Sequence, residues 1–520
     1  MKPNIVIVMT DQHRADLRKG CGYPLDTMPF LDSFAKNGYD MRRAYTPNPC
    51  CKPARVSMFT GRYPSCHNVR TNHNINDVVY KEDMLSVFKR AGYRTALCGK
   101  NDSHVRWQRF DFCERNGHLG KKDTTGASEE QKALWDYLDA TRHMEMHSPS
   151  PGGVELQHPY RNVSSAFKFL DENKDGKPFF MWLSFAEPHN PYQVPQPYFD
   201  MFPPEALPPI SSGADKCKVK GKTWEWERKC WETVLGENTE ERINRARSNY
   251  HGMLRLIDDQ FKRFIEGLEE RGLRENTVIV FLSDHGDFAG EYGLIRKGVS
   301  LPEVLCHITM AWQGPGMLKG VTDTEHCVNL VDILPTVCEL TGESIPFGCQ
   351  GRSLVDLLKG NKVPAGEFDV AYSEFGYGGL YWNEEDHLTT AADRCLTDGK
   401  TFACISSWTA SGQMRMARKG NYKIIMDMMG NGELYDLSSD PFEVNDLWND
   451  PEYASVKSDM LVTLCAAVLK AADPLPAPRN RYRAKAHPKG YWNDESYVAE
   501  DPGVPDEIID QYVHPDLAEK

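Results

Sequence analysis

The chain's 520 residues are 40% apolar and 26% charged, a mixture that excludes a disordered or membrane-embedded protein and allows two or three domains with a sizeable core. Its formal net charge of −13, spread without long acidic blocks, weighs against nucleic acid as a partner and requires any anionic ligand to find local positive charge. Fifteen cysteines without a regular framework read as reduced thiols and hence as a cytoplasmic protein; the apolar run at 5–9 is short for a secretory core, and no run approaches a membrane span.

Short apolar runs rich in β-branched and aromatic residues recur at 4–10, 93–98, 179–185, 277–282 and 308–312, with helical patterns between them. This alternation predicts a doubly wound α/β architecture, a mainly parallel sheet with helices on both faces. The longest helix is expected over 244–272, where Tyr250, Leu254, Ile257, Phe261, Phe264, Ile265 and Leu268 recur at helical spacing. Further on, shorter strands at 414–417, 422–426 and 433–437 and a helix at 455–471 predict a smaller C-terminal antiparallel-sheet domain. The expected divisions are a main domain over 1–364, an α+β subdomain over 365–475, and a Pro- and charge-rich tail over 476–520 that wraps the surface.

Open α/β sheets bind ligands outside the carboxyl ends of their strands, so polar residues just after the apolar runs are the candidates for a site. Asp11-Gln12 follows the first run, and Asp284-His285-Gly286-Asp287 follows the run at 277–282; such clusters supply oxygen ligands for a hard cation. Between them lies Cys51-Lys52-Pro53-Ala54-Arg55. Alone, this pattern is matched as well by a buried thiol beside a helix-starting proline. Extended to Thr60-Gly61-Arg62, it resembles the signature of the sulfatase family in the alkaline phosphatase superfamily. Gly351-Arg352-Ser353-Leu354 and the stretch 432–441 resemble later elements of that family, so the likeness runs from residue 4 to about residue 447.

The resemblance implies that Cys51, rather than Cys50, is oxidised by a separate maturation enzyme to formylglycine, whose hydrated aldehyde attacks sulfur and then expels sulfate. It implies that Asp11, Gln12, Asp284 and His285, together with the modified Cys51, hold Ca²⁺, with Mg²⁺ or Mn²⁺ as alternatives. Arg55 is implied to hold the nucleophile's oxygens and the metal-bound oxygens, Lys100 to contact the sulfate or the leaving oxygen, His189 to contact the sulfate and act as a candidate acid, and Lys297 to contact the sulfate. His104 stands two places later than the family's histidine: either it reaches the leaving oxygen from a longer loop, or that role moves to His189 or a substrate-contacting residue. Asn72 lies where phosphonate monoester hydrolases of the superfamily carry an asparagine.

The implied substrate is the sulfate ester of a saccharide derived from a glycosaminoglycan. Trp224, Trp226, Trp231 and the stretch 375–382 read either as platforms for sugar rings or as packing. Two other readings stand beside this one. The first is phosphonate monoester or phosphodiester hydrolysis by the same site, which Lys100 disfavours. The second is a catalytically silent carbohydrate-binding homologue. Assembly into a homo-oligomer is left open.

Overall fold

Every residue from Asn4 to Asp11 is buried, and this strand, β1, forms the middle of an eight-stranded sheet in the computed structural model. The structure describes residues 2–80, 82–118, 127–141, 143–377, 412–472 and 487–496. The other strands of the sheet are β2 (Tyr39–Met41), β3 (Arg94–Gly99), β4 (Phe112–Glu114), β5 (Phe179–Pro188), β6 (Thr277–Ser283), β7 (Met310–Gln313) and β8 (Val321–Asp323). Their order is β8-β2-β7-β6-β1-β5-β3-β4, with β7 alone running antiparallel to its neighbours.

A central parallel strand is covered on both faces, which is why the β1 sequence is an almost unbroken apolar run. Val6 and Val8 face one core with Tyr250, Leu254, Ile257 and Phe261. Ile5, Ile7 and Met9 face the other with Ala54, Met58 and Phe59. The first set belongs to the long helix Thr239–Glu270 and the second to Cys51–Thr60. The long helix starts earlier than its apolar stripe predicts. Its opening residues are mostly polar or charged and are held by other contacts, such as Arg242 with Glu145.

The run expected at 308–312 is divided. His307–Ile308 pairs with Ala44–Tyr45 in a small three-stranded sheet, whereas Met310 onward pairs with β6. The C-terminal sheet is an antiparallel meander of β9 (Val370–Phe375), β10 (Met414–Lys419), β11 (Tyr422–Asp427) and β12 (Gly432–Asp436). The helix Ala454–Ala472 packs Met460 and Leu464 against Ile424 and Leu434 of this sheet.

Of the tail at 476–520, the described residues 487–496 lie against the main domain, with the Tyr491 hydroxyl donating to the Ser353 carbonyl at 3.2 Å; the rest lies outside the described residues. Trp224, Trp226 and Trp231 are at most 2% exposed and pack in the interior, so they offer no platform to a sugar. Phe375 is likewise in a core cluster, and 378–382 lie outside the described residues.

The helix Lys222–Leu235 buries one carboxyl, that of Glu227, which accepts the Val299 N–H at 2.8 Å. Burial pushes this carboxyl from its ordinary 4.5 up to about 8, against the opposing pull of that N–H. Between those two values the folded chain keeps a proton that the unfolded chain releases, so Glu227 makes stability fall as pH rises. Urea unfolding from about pH 5 to 8 should therefore show a flatter pH profile for Glu227→Gln, by up to about 1.4 kcal/mol per pH unit. An unaltered profile contradicts the assignment.

Candidate active site

The carboxyl ends of four parallel strands converge: β1 ends at Asp11, β3 at Gly99 before Lys100, β5 at Pro188 before His189, and β6 at Ser283 before Asp284. Facing them is the start of the helix Cys51–Thr60, with Cys50 extended at its N-cap (φ −140°, ψ 137°) and Gly61 closing it at φ 62°. The first N–H groups of a helix lack partners within it. One of them, on Lys52, is satisfied by Asn72 Oδ1 at 3.0 Å, which places Asn72 beside the residue that follows Cys51.

Ligand-type atoms of Asp11, Cys51, Asp284 and His285 lie within 4.8 Å of one another, and all four residues are buried. The Cys51 thiol is 3.4 Å from Asp11 Oδ1 and 3.2 Å from His285 Nε2. Arg55, wholly buried, spans the two carboxylates: Nη2 donates to Asp11 Oδ2 at 3.1 Å and Nε to Asp284 Oδ2 at 2.9 Å. Its Nη1 donates to Ser184 Oγ at 2.9 Å. The guanidinium thus holds carboxylates from two adjacent strands, the oxygens that the sequence reading assigns to the metal.

Two lysines complete the charge. Lys100 donates to Asp11 Oδ2 and lies 3.1 Å from Asp102 Oδ2. Lys297 Nζ reaches Cys51 Sγ at 2.7 Å and His285 Nε2 at 3.0 Å. Burial would raise the Asp11 carboxyl, but Lys100, His189 and Arg55 outweigh it and hold it well below the ordinary carboxylate range. Burial, reinforced by Asp11, pushes the Cys51 thiol up to about 12, so the encoded side chain is a neutral thiol near neutral pH and a poor nucleophile.

His285 donates from Nδ1 to the Gly286 carbonyl at 2.8 Å, and burial together with Lys297 lowers it to about 4. It is therefore neutral, with the lone pair on Nε2 facing Asp11 and Cys51, the tautomer a metal ligand needs. Gln12 (φ 64°) donates from Nε2 to Asp287 Oδ2 at 2.5 Å, which leaves its buried Oε1 without a hydrogen-bond partner. Two carboxylates, an unprotonated imidazole nitrogen that Lys297 approaches at 3.0 Å and an orphaned amide oxygen form a donor set suited to a hard divalent cation.

His189 lies at the rim, its Nδ1 donating to the Asn190 carbonyl at 2.6 Å and its ring stacked on His118 at 3.9 Å between centroids. Burial, followed by His118, holds it well below the usual histidine range. The structure does not bring His104 into this cluster. Its ring lies edge-on to Tyr80 at 4.3 Å, with Nε2 3.6 Å from Asp83 Oδ2. The cause is the turn before it, where Asp102 adopts φ 38° and Asn101 binds Ser103 and the Val105 carbonyl, directing His104 to the interior.

A family model described as Sulfatase matches residues 3–343, well over half of the 520-residue chain. The chain belongs to the sulfatase family. An arylsulfatase from Clostridium perfringens is 29% identical over 481 residues, covering 87% of this chain and 92% of the relative. Among solved structures, the phosphonate monoester hydrolase of Agrobacterium radiobacter superposes with a TM-score of 0.72 at 21% identity, covering 89% of this chain and 96% of that one. Another, solved in complex with its substrate D-glucosamine-2-N,6-O-disulfate, gives a TM-score of 0.68 at 18% identity, covering 91% of this chain and 99% of that one. The structures establish a shared fold, and the family places this sulfatase among the sulfuric ester hydrolases.

The sulfatase site contains groups that the sequence did not single out for it. His118 has no neighbouring motif, and only the fold brings it against His189. Asp287 belongs to the same four-residue string as Asp284 and orients the Gln12 amide. Calorimetric titration of Ca²⁺ into Asp287→Ala should show affinity weakened about 10–100-fold relative to wild type. Unchanged affinity contradicts a ligand role for Gln12.

Proposed function

We propose that this sulfatase hydrolyses the sulfate ester of a sulfated saccharide at residue 51, which a maturation enzyme converts from cysteine to formylglycine, with Asp11, Gln12, Asp284 and His285 holding Ca²⁺. The observation that carries this reading is the place of Cys51: it begins a helix, touches both Asp11 and His285, and lies 2.7 Å from Lys297. Formylglycine would supply a hydrated aldehyde as nucleophile, and the cation would supply Lewis-acid charge to the sulfuryl oxygens.

The protein's own residues bind and orient the anion. The helix Cys51–Thr60 directs its N-terminal dipole at the site, which favours a negative group there. Arg55, Lys100 and Lys297 offset the carboxylates of Asp11, Asp284 and Asp102, so the addition of a divalent cation leaves the site positive and attractive to a sulfate monoester. Lys297, which reaches residue 51 and His285 Nε2, donates to oxygens carried at residue 51 or to the sulfate. His189 has Nδ1 tied to a carbonyl, so in its neutral form Nε2 accepts a proton; a bound anion beside it favours the imidazolium and turns Nε2 into a donor.

The saccharide is supported by the structural neighbour solved with a sulfated glucosamine. A reducing compartment fits the free thiols of Cys98, Cys306 and Cys338. No helix among the described residues is long and apolar enough to cross a membrane.

Cys51→Ala should lose sulfate-ester turnover by at least about 10³-fold while keeping its thermal midpoint; full activity in this variant contradicts the mechanism. With converted protein, kcat/KM for an aryl sulfate should exceed that for the matched aryl phosphodiester. The reverse preference makes the enzyme a phosphodiester or phosphonate ester hydrolase, and inactivity of fully converted, Ca²⁺-loaded protein toward both, with sugar binding retained, makes it a silent homologue.

A further inference from the structure

The helix Lys222–Leu235 lies outside the constellation that binds the anion, yet its Glu227 packs against the loop that delivers Lys297 to Cys51. That loop carries Lys297 between two non-glycine residues in left-handed conformation, Arg296 at φ 68° and Ser300 at φ 65°. Such backbone persists only where its surroundings over-determine it. On the N-terminal side the restraint is visible: the Arg296 N–H donates to Asp287 Oδ1 at 3.0 Å and to the Tyr192 hydroxyl at 3.1 Å.

On the C-terminal side the restraint is Glu227. Its Oε2 accepts the Val299 N–H at 2.8 Å, and its carboxyl lies so close over Gly298 that a Cβ placed there would stand 2.1 Å from Oε1 and 2.3 Å from Oε2. The side chain is wholly buried, and its helix is fixed in the main core through Trp224 and Trp231, where Val299, Leu294 and Ile295 also pack. A buried carboxyl bonded to one backbone N–H and wedged on the adjacent glycine determines where residues 297–299 run. Lys297 Nζ must meet Cys51 Sγ at 2.7 Å and His285 Nε2 at 3.0 Å, so a shift of the loop by an ångström removes that contact.

We propose that Glu227 is a positioning residue for Lys297, acting through the Gly298–Val299 backbone so that the ammonium stands over residue 51. This rests on the reading of Lys297 as a contact of the sulfuryl group. Bringing a charge within about an ångström of its working position is worth on the order of 10²-fold in rate. Glutamine at 227 keeps an oxygen for the Val299 N–H and so retains the function; alanine does not.

The test is a double-mutant cycle on converted, Ca²⁺-loaded enzyme, with kcat and KM read separately on an aryl sulfate. Glu227→Ala should lower kcat/KM about 10–100-fold, Glu227→Gln by less than about threefold, and Glu227→Ala placed on Lys297→Ala should cost less than about twofold more. Gly298→Ala, whose Cβ displaces the carboxyl, is the second variant if Glu227→Ala fails to fold, and the same loss and the same non-additivity are expected of it. Equal losses in the presence and absence of Lys297, or a glutamine variant as impaired as the alanine one, overturn the proposal. Full activity in Lys297→Ala instead overturns the underlying reading of Lys297.

Discussion

The site depends on one buried ion pair system, Arg55 between Asp11 and Asp284. Adjacent parallel strands bring two carboxylates to the same dry corner, where each is desolvated and each repels the other. Arg55 supplies a donor to each, and Lys100 adds a second cation to Asp11. Breaking such an arrangement on one side leaves an uncompensated buried charge, at roughly 3–5 kcal/mol. The same helix that carries Arg55 carries Cys51 one turn earlier, so the residue that holds the carboxylates together also fixes the register of the nucleophile position against them. The cation cradle, the anion pocket and residue 51 are therefore consequences of one set of contacts.

The smaller sheet is joined to this core by a related device. Lys423 of β11 is wholly buried and forms ion pairs with Glu443 at 2.7 Å and Glu303 at 3.0 Å, and the Glu303 N–H donates to Glu443 at 2.7 Å. Glu303 follows the Lys297 loop by a few residues, so the C-terminal sheet is tied to the segment that reaches Cys51. Parting either carboxylate from Lys423 would leave a buried charge uncompensated, which favours one docking geometry.

Much of this was legible in the sequence because a central parallel strand must be apolar throughout and must stop where its ligand-binding residues begin. That rule marked β1, β3, β5 and β6 and, with them, Asp11 and Asp284; Lys100 and His189 also follow strands, but their roles came from the family resemblance. What the sequence did not show was long-range. Pattern pointed to His104 and passed over His118, whereas the turn at Asp102 sends the first inward and the fold brings the second to His189. The division between Ile308 and Met310 depends on which strand each pairs with, and the early start of the long helix depends on ion pairs with distant segments. The Gln12 amide and the Glu227 carboxyl acquire their roles from partners 275 and 72 residues away, which no local periodicity encodes.

The central claim is that sulfate-ester hydrolysis depends on the chemical state of residue 51. It is tested most directly by preparing the enzyme at graded degrees of maturation, quantifying cysteine and formylglycine in the residue-51 peptide by mass spectrometry, and measuring turnover on each preparation. The account predicts activity proportional to the formylglycine fraction, extrapolating to zero for the unconverted thiol. Turnover independent of that fraction would contradict it.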